Sequence, residues 1–174
     1  MKTLILLASS GENLKLANVL QQMLIGLKAE AEIINLMQLK LPLYDMDVEV
    51  NEGMPQKIYT LMEKMKEVNS YIVVAPTYNG SIPPVLSNAI AWISRADKDF
   101  RVLFNERIIL LCSHSLSDCS GVILAMRQQF NKLGAVVLSR EIGTTATKEF
   151  NEKSSLKTLE QFLKFPKIND PSID

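Results

Sequence analysis

Five short apolar runs, separated by longer stretches with a helical period, constrain the fold of this chain more than any other feature. They lie at residues 3–8, 31–36, 70–76, 107–113 and 135–139, and they are continuous rather than alternating. Continuous runs rich in Ile and Val are typical of strands buried on both faces, as in a parallel sheet. The pattern therefore predicts five parallel strands.

Apolar residues recur every three or four positions between and after these runs, which predicts amphipathic helices. The five stripes are Leu16, Leu20, Met23, Leu24 and Leu27; Ile58, Leu61, Met62 and Met65; Val85, Ala89, Trp92 and Ile93; Val122, Met126, Phe130 and Leu133; and Leu156, Leu159 and Leu163. Alternating strands and helices imply right-handed crossovers and helices on both faces of the sheet. We predict a three-layer α/β/α sandwich whose five parallel strands take the common order 2-1-3-4-5.

The 174 residues are expected to form a single domain, because no repeat or linker interrupts the alternation. Two stretches, residues 40–55 and 96–106, are interpreted as loops. The tail from about residue 165 is rich in proline and polar residues, so we expect it to be loosely held.

Charge and composition exclude several classes of function. Lys plus Arg and Asp plus Glu each number 19, so no basic excess favours a nucleic-acid or membrane partner. The first apolar run is too short for a signal peptide and is interpreted as a strand. Cys112 and Cys119 fit neither a redox pair nor a zinc site, which favours free thiols and a cytoplasmic location. The acidic residues Asp45, Asp47 and Glu49 are interpreted as a solvated loop and not as a metal site.

Ligands of open parallel sheets bind beyond the carboxyl ends of the strands, where the strand order reverses. The loop after the first run contains Ser9, Ser10, Gly11, Glu12 and Asn13 and leads into a helix. A helix N-terminus with small residues favours a phosphate group. Residues 9–12 also spell S-x-x-E, a capping box that would satisfy the same N–H groups without a ligand. Both interpretations stay open on the residues alone.

The loop after the third run offers a second candidate site. Pro76 ends the strand, Ser81 is expected to cap the next helix, and Pro83 and Pro84 suit its first turn. Four residues between them form an exposed shelf: Thr77, Tyr78, Asn79 and Gly80. Its backbone N–H and C=O groups and the Tyr78 ring suit the edge and face of a planar ligand. An ordinary strand–turn–helix connection is the alternative.

The stretch "PTYNGSIPPVLSNAIAWISR" resembles P-E-Y-N-x-S-x-P-x-x-L-K-N-A-I-D-W-x-S-R, the signature of the NADPH-dependent FMN reductase family, whose fold is flavodoxin-like. The matching residues are Pro76, Tyr78, Asn79, Ser81, Pro83, Leu86, Asn88, Ala89, Ile90, Trp92, Ser94 and Arg95. The segment "LPLYDMD" at 41–47 and Asn13, Leu16 and Ala17 of the first helix are also similar to the family.

The resemblance implies a bound FMN. Its phosphate is expected near Ser9, Ser10, Gly11, Glu12 and Asn13. Its ring is expected against Pro76, Thr77, Tyr78, Asn79, Gly80 and Ser81, with Ser113 and His114 contributed by the loop after the fourth strand. The implied reaction passes hydride from NADPH or NADH through FMN to a small acceptor such as a flavin, a quinone or a metal ion. No side chain need act as acid or base, and a homodimer or tetramer is expected.

The chain departs from the family pattern in three places. The first loop is short and lacks the family's Arg, Thr77 replaces the family's Glu, and residues 113–121 lack paired glycines. Three alternatives therefore remain: a flavodoxin-type electron carrier, a member that has lost FMN and serves as a binding or structural module, and a different enzyme on the same scaffold. The zero net charge disfavours the carrier, because acidic surfaces steer such carriers to their partners.

Overall fold

A computed structural model describes residues 2–168, in which strands and helices alternate as the sequence predicts. The strands are β1 (Lys2–Leu7), β2 (Glu30–Asn35), β3 (Ser70–Val74), β4 (Ile108–Ser115), β5 (Val136–Val137) and β6 (Ile142–Thr145). The helices are α1 (Gly11–Gly26), α2 (Leu36–Leu39), α3 (Met46–Glu52), α4 (Gln56–Lys66), α5 (Pro84–Arg95), α6 (Ser120–Lys132) and α7 (Glu152–Ile168).

The strands form one sheet of order β2-β1-β3-β4-β5, and every pairing in it is parallel. The predicted fold class and strand order are confirmed. A sixth strand, β6, also pairs with β4, beyond the two residues of β5. The strand order reverses between β1 and β3, so the loops that follow these strands meet at the edge of the sheet that favours ligands.

Two apolar clusters lie on opposite faces of the sheet. One packs α4, α5 and α6 against alternate strand residues such as Leu6, Val73 and Leu111. The other packs α1 and α7 against the intervening residues, such as Ile5 and Leu110. Because strand side chains alternate between faces, a continuous apolar run supplies both clusters at once.

Some sequence predictions need correction. Two elements, α2 and α3, lie in or next to the stretch interpreted as the 40–55 loop, and β6 was missed. The outer strands are less buried than the central ones: β2 is mostly half-buried, and Val136 of β5 is 44% exposed. Within residues 2–168, each of them lies at an end of the strand order. The loop at 96–106 is confirmed, although it contributes the buried Leu103 and Phe104 to the core.

The C-terminal prediction falls partly outside the described residues. Helix α7 continues to Ile168, so the expected loose tail does not begin at residue 165. Residues 169–174 lie outside the described part of the chain. The single domain stays a prediction. Within residues 2–168, every helix is too short or too polar to cross a membrane.

Candidate functional site

The first candidate loop joins β1 to α1, and its helix begins later than a capping box requires. Ser10 is the N-cap, and its side chain makes no capping hydrogen bond. Ser9 instead donates its hydroxyl to the carbonyl of Ser10, at 3.3 Å. Glu12 pairs with Lys15 on the outside of the helix, at 2.6 Å. The S-x-x-E capping interpretation is therefore wrong, because the positive φ of Gly11, 58°, starts the helix one residue too late.

The start of α1 is consequently open to a ligand. Ser10, Gly11 and Glu12 are exposed, and a side chain added at Gly11 would meet no atom within 4 Å. The hydrogen bond from Lys15 lowers the pKa of Glu12, so its carboxylate is charged and is paired with Lys15. Backbone N–H groups that no side chain caps, together with the helix dipole, favour an anion at this position.

Asn13 joins the first loop to the fourth strand. Its side-chain amide donates to the carbonyl of His114 at 2.9 Å, and its oxygen accepts from the N–H of His114 at 2.8 Å. Asn13 is 5% exposed. These two hydrogen bonds, which we call the clasp, tie α1 to β4. The sequence analysis did not predict this structural role of Asn13. A phosphate contact from Asn13 stays a prediction.

The second candidate loop folds into a tight turn. The N–H of Tyr78 donates to the carbonyl of Ser81 at 3.1 Å, and the N–H of Ser81 donates back to Tyr78 at 3.0 Å. The central residues, Asn79 and Gly80, have positive φ values of 50° and 76°. This is the two-residue turn that an Asn-Gly pair favours. Asn79 and Gly80 are exposed, and their N–H groups have no protein partner in the described part of the chain.

The expectation that Ser81 caps the next helix is wrong. Helix α5 takes Pro83 as its N-cap and Pro84 as its first residue, and no side chain caps it. The backbone of Ser81 closes the turn instead. Its exposed hydroxyl therefore lies beside the turn.

The third group of predicted residues lies within a strand and not in a loop. β4 extends to Ser115, so it contains both Ser113 and His114. β6 holds this end of the strand by pairing Ser113 with Gly143 and His114 with Thr144. The Nδ1 atom of His114 lies 2.9 Å from the hydroxyl of Thr144, which the sequence analysis missed because β6 is short and carries a single large apolar residue.

Ser113, another predicted site residue, is fully buried. Its Oγ atom has no hydrogen-bond partner within residues 2–168. Buried hydroxyls are rarely left without a partner. Because this atom is closed off from the surface, a contact between Ser113 and a bound molecule stays a prediction. On the neighbouring loop, Thr77 donates its hydroxyl to the carbonyl of Asp118 at 3.2 Å.

The second half of the 76–95 stretch contacts residues that follow β2. Asn88 accepts from the N–H of Tyr44 at 2.7 Å and donates to the carbonyl of Pro42 at 2.9 Å. Trp92 donates its ring N–H to Pro42 at 2.8 Å, and its ring meets that of Tyr44 edge-on at 5.1 Å. These residues hold residues 41–52, which we call the strap.

An ion pair completes the attachment of the strap. Nε of Arg95 donates to Glu49 at 3.0 Å, and Tyr44 donates its hydroxyl to the same carboxylate at 3.0 Å. The bond from Arg95 lowers the pKa of Glu49. Asp45 caps α3 by accepting from the N–H of Asp47 at 2.8 Å. The carboxylates of Asp45 and Glu49 therefore have structural partners, and residues 2–168 contain no group of three His, Cys, Asp or Glu side chains suited to a metal ion.

Comparison with known proteins places this geometry in context. A model of the family described as NADPH-dependent FMN reductase matches residues 1–148. The quinone reductase of Escherichia coli (strain K12) is 44% identical over 55 residues, which are 32% of this chain and 29% of that protein. The NADPH:quinone oxidoreductase of Arabidopsis thaliana is 38% identical over 55 residues, which are 32% and 28% of the two chains. The match thus spans less than a third of each relative's length.

Solved structures establish the fold. The flavoenzyme NAD(P)H:(acceptor) oxidoreductase FerB from Paracoccus denitrificans has a TM-score of 0.73 at 19% identity, over 94% of this chain and 93% of that one. A flavodoxin from Pseudomonas aeruginosa has a TM-score of 0.63 at 20% identity, over 94% and 99%. The sheet order and the two loops at its reversal point define a flavodoxin-like protein. The chain belongs to the NADPH-dependent FMN reductase family, as its match over residues 1–148 shows.

Proposed function

We propose that this chain is an FMN-binding oxidoreductase that passes hydride from NADPH or NADH, by way of FMN, to a small acceptor. One observation carries the proposal: the uncapped start of α1 and the exposed 78–81 turn lie on the loops that meet where the strand order reverses. Family membership supports FMN as the cofactor and a nicotinamide as the electron donor. A quinone is the acceptor that the matched relatives' names favour.

The phosphate would bind at the start of α1. We expect the N–H groups of Gly11 and Glu12 and the hydroxyl of Ser10 to donate to it, whereas the hydroxyl of Ser9 already donates to the carbonyl of Ser10. A charge-assisted hydrogen bond typically contributes about 1.5–3 kcal/mol. Without the family's Arg, we expect FMN to bind roughly ten- to a hundred-fold more weakly than at a site that has one.

The ring would lie against the 78–81 turn. When bound, FMN supplies the redox chemistry, and the protein supplies position and electrostatics. The exposed N–H groups of Asn79 and Gly80 suit the stabilisation of negative charge at the ring edge. Tyr78, which is 53% exposed, offers an aromatic face beside the ring.

Two binding measurements test the cofactor assignment. FMN and riboflavin differ only in the phosphate, so fluorescence quenching should show tighter binding of FMN if the start of α1 holds that group. Equal affinities would refute the phosphate site. If neither compound binds more tightly than millimolar, the flavin site as a whole is refuted.

Anaerobic mixing tests the reaction. Excess NADPH or NADH should remove the visible absorbance of the FMN-loaded protein within seconds. A quinone should then restore the absorbance. A flavodoxin-type carrier would stay coloured until a partner reductase was added, so persistent colour would assign that function instead.

We also propose that the protein forms a homodimer or a tetramer through the strap, in the cytoplasm. The attached strap exposes Leu43, Met46 and Val50, at 76%, 69% and 77%. Large apolar residues grouped on one rigid segment are typical of interfaces. Leu43→Glu should lower the mass measured by light scattering at micromolar concentration. Ile25→Glu, on the opposite face of the sheet, is the matched control. A single-chain mass for the wild-type protein would contradict the assembly.

A further inference from the structure

The 78–81 turn rests on the first turn of α6. Gly121 lies in this helical turn, and a Cβ atom added to it would come within 2.4 Å of the carbonyl oxygen of Gly80. The carbonyl carbon and Cα of Gly80 would lie at 3.2 and 3.5 Å. Real Cβ atoms essentially never approach backbone atoms as closely as the first of these distances, so the contact requires a glycine on α6.

This requirement concerns space and not backbone conformation. Gly121 has no positive φ, unlike Gly80 on the turn, whose φ is 76°. A Cβ added at Gly80 would meet no atom within 4 Å. The two glycines therefore have different roles: Gly80 allows the turn to form, and Gly121 allows the turn to approach α6.

The start of α6 is itself firmly held. The side chain of Asp118 accepts from the hydroxyl of Ser120, which lowers the pKa of that carboxyl. The thiol of Cys119 donates to the carbonyl of Thr144 at 3.3 Å, which ties the helix to β6. A second contact, from Thr77 to the carbonyl of Asp118, joins the preceding loop to the same helix start. These contacts hold the start of α6 in place, and the 78–81 turn packs against it.

We propose that Gly121 is a positioning residue for the flavin: by admitting the Gly80 carbonyl, it sets where the 78–81 turn presents its N–H groups. Gly121 itself need not touch the ring. This inference rests on the proposed function, because it assigns that turn to the flavin. Displacement of a supporting group by about 1 Å typically costs on the order of a hundred-fold in rate, so a small shift of the turn matters.

The test compares two alanine variants. Gly121→Ala forces the turn away from α6, whereas Gly26→Ala, at the end of α1, adds a methyl group with no atom within 4 Å. We expect Gly121→Ala to bind FMN at least about tenfold more weakly, to shift the visible absorption maximum, and to make the flavin midpoint potential more negative. The potential should fall because displaced N–H groups stabilise the reduced ring less. Gly26→Ala should match the wild-type protein in all three measurements.

Amide hydrogen exchange provides a readout that does not depend on the flavin. The N–H groups of Tyr78 and Ser81 are bonded across the turn, and they should exchange faster in Gly121→Ala than in Gly26→Ala even without FMN. If Gly121→Ala does not fold, Asp118→Ala, which loosens the start of α6 from an exposed position, should give the same changes at smaller size.

Two results separate this inference from the proposed function. If the folded Gly121→Ala protein keeps the wild-type FMN affinity, absorption maximum, potential and amide exchange, Gly121 does not position the turn and the inference fails. If the wild-type protein binds no FMN, the proposed function fails. Unchanged exchange at Tyr78 and Ser81 in the flavin-free variant would then also overturn the support by α6.

Discussion

Replacing Asn88 with alanine tests whether the helical half of the 76–95 stretch stabilises the strap. Asn88 makes two hydrogen bonds to it, one with the N–H of Tyr44 and one with the carbonyl of Pro42. After the change, the carbonyl of Pro42 keeps its hydrogen bond from Trp92. Loss of the hydrogen bond from Asn88 to this carbonyl therefore costs about 1 kcal/mol. The partly buried N–H of Tyr44 loses its side-chain partner, which adds about 1–3 kcal/mol.

The sum, roughly 2–4 kcal/mol, predicts a fall of roughly 4–16 °C in the melting temperature of a chain of this size. Urea unfolding measures the free energy directly, and limited proteolysis within residues 41–52 should report local release of the strap. Asn88→Asp keeps the acceptor for Tyr44 and should lie between the wild-type protein and Asn88→Ala.

The matched control is Ser87→Ala on the same helix, because the side chain of Ser87 makes no hydrogen bond within residues 2–168. We expect it to change the free energy of unfolding by less than about 0.5 kcal/mol. Equal costs for Ser87→Ala and Asn88→Ala would refute the reasoning. FMN affinity should be nearly the same in both, because Asn88 faces the strap and not the two loops at the reversal point.

Two further predictions concern charged residues. Glu12→Gln should leave FMN affinity within about twofold of wild type, because the carboxylate of Glu12 is paired with Lys15. The affinity is best measured at low salt, where charge effects are largest. A strong gain in affinity would show that the charge of Glu12 lies at the phosphate. The bond from Arg95 lowers the pKa of Glu49 below its usual 4.5, so the folded protein binds fewer protons than the unfolded chain. The stabilisation is present above pH 4.5 and is lost as the pH falls further. Urea unfolding should show that the wild-type protein is more stable than Glu49→Gln at neutral pH. A difference in the free energy of unfolding that persists unchanged in acid would contradict the ion pair.

The sheet was predictable because burial on both faces leaves a strong signal in the sequence. Central strands such as β1 and β3 carry uninterrupted apolar runs, at residues 4–7 and 71–74, and the helical stripes mark the layers on either side. β6 leaves no comparable signal, since Ile142 is followed by Gly143 and two threonines. The short helix α3 was hidden because none of its residues is buried, so no apolar stripe marks it.

The candidate site was predictable as a set of loops but not as a set of contacts. An Asn-Gly pair specifies a tight turn locally, so the shape of residues 78–81 follows from their sequence. The role of Gly121 depends on a residue far away in the chain, and S-x-x-E suggested a cap that the conformation of Gly11 prevents. Local patterns specify backbone shape, whereas tertiary contacts determine which groups remain free to bind.

The clasp between Asn13 and His114 has a consequence for biosynthesis. Its two halves are 101 residues apart in the chain. A ribosome that adds roughly 5–20 residues per second needs about 5–20 s to reach the second half after the first has emerged. During that interval β1 and α1 exist without β4, so the proposed phosphate site is not yet complete. We therefore expect the proposed cofactor to bind only after β4 has been synthesised, and not to guide the earlier folding of β1 and α1.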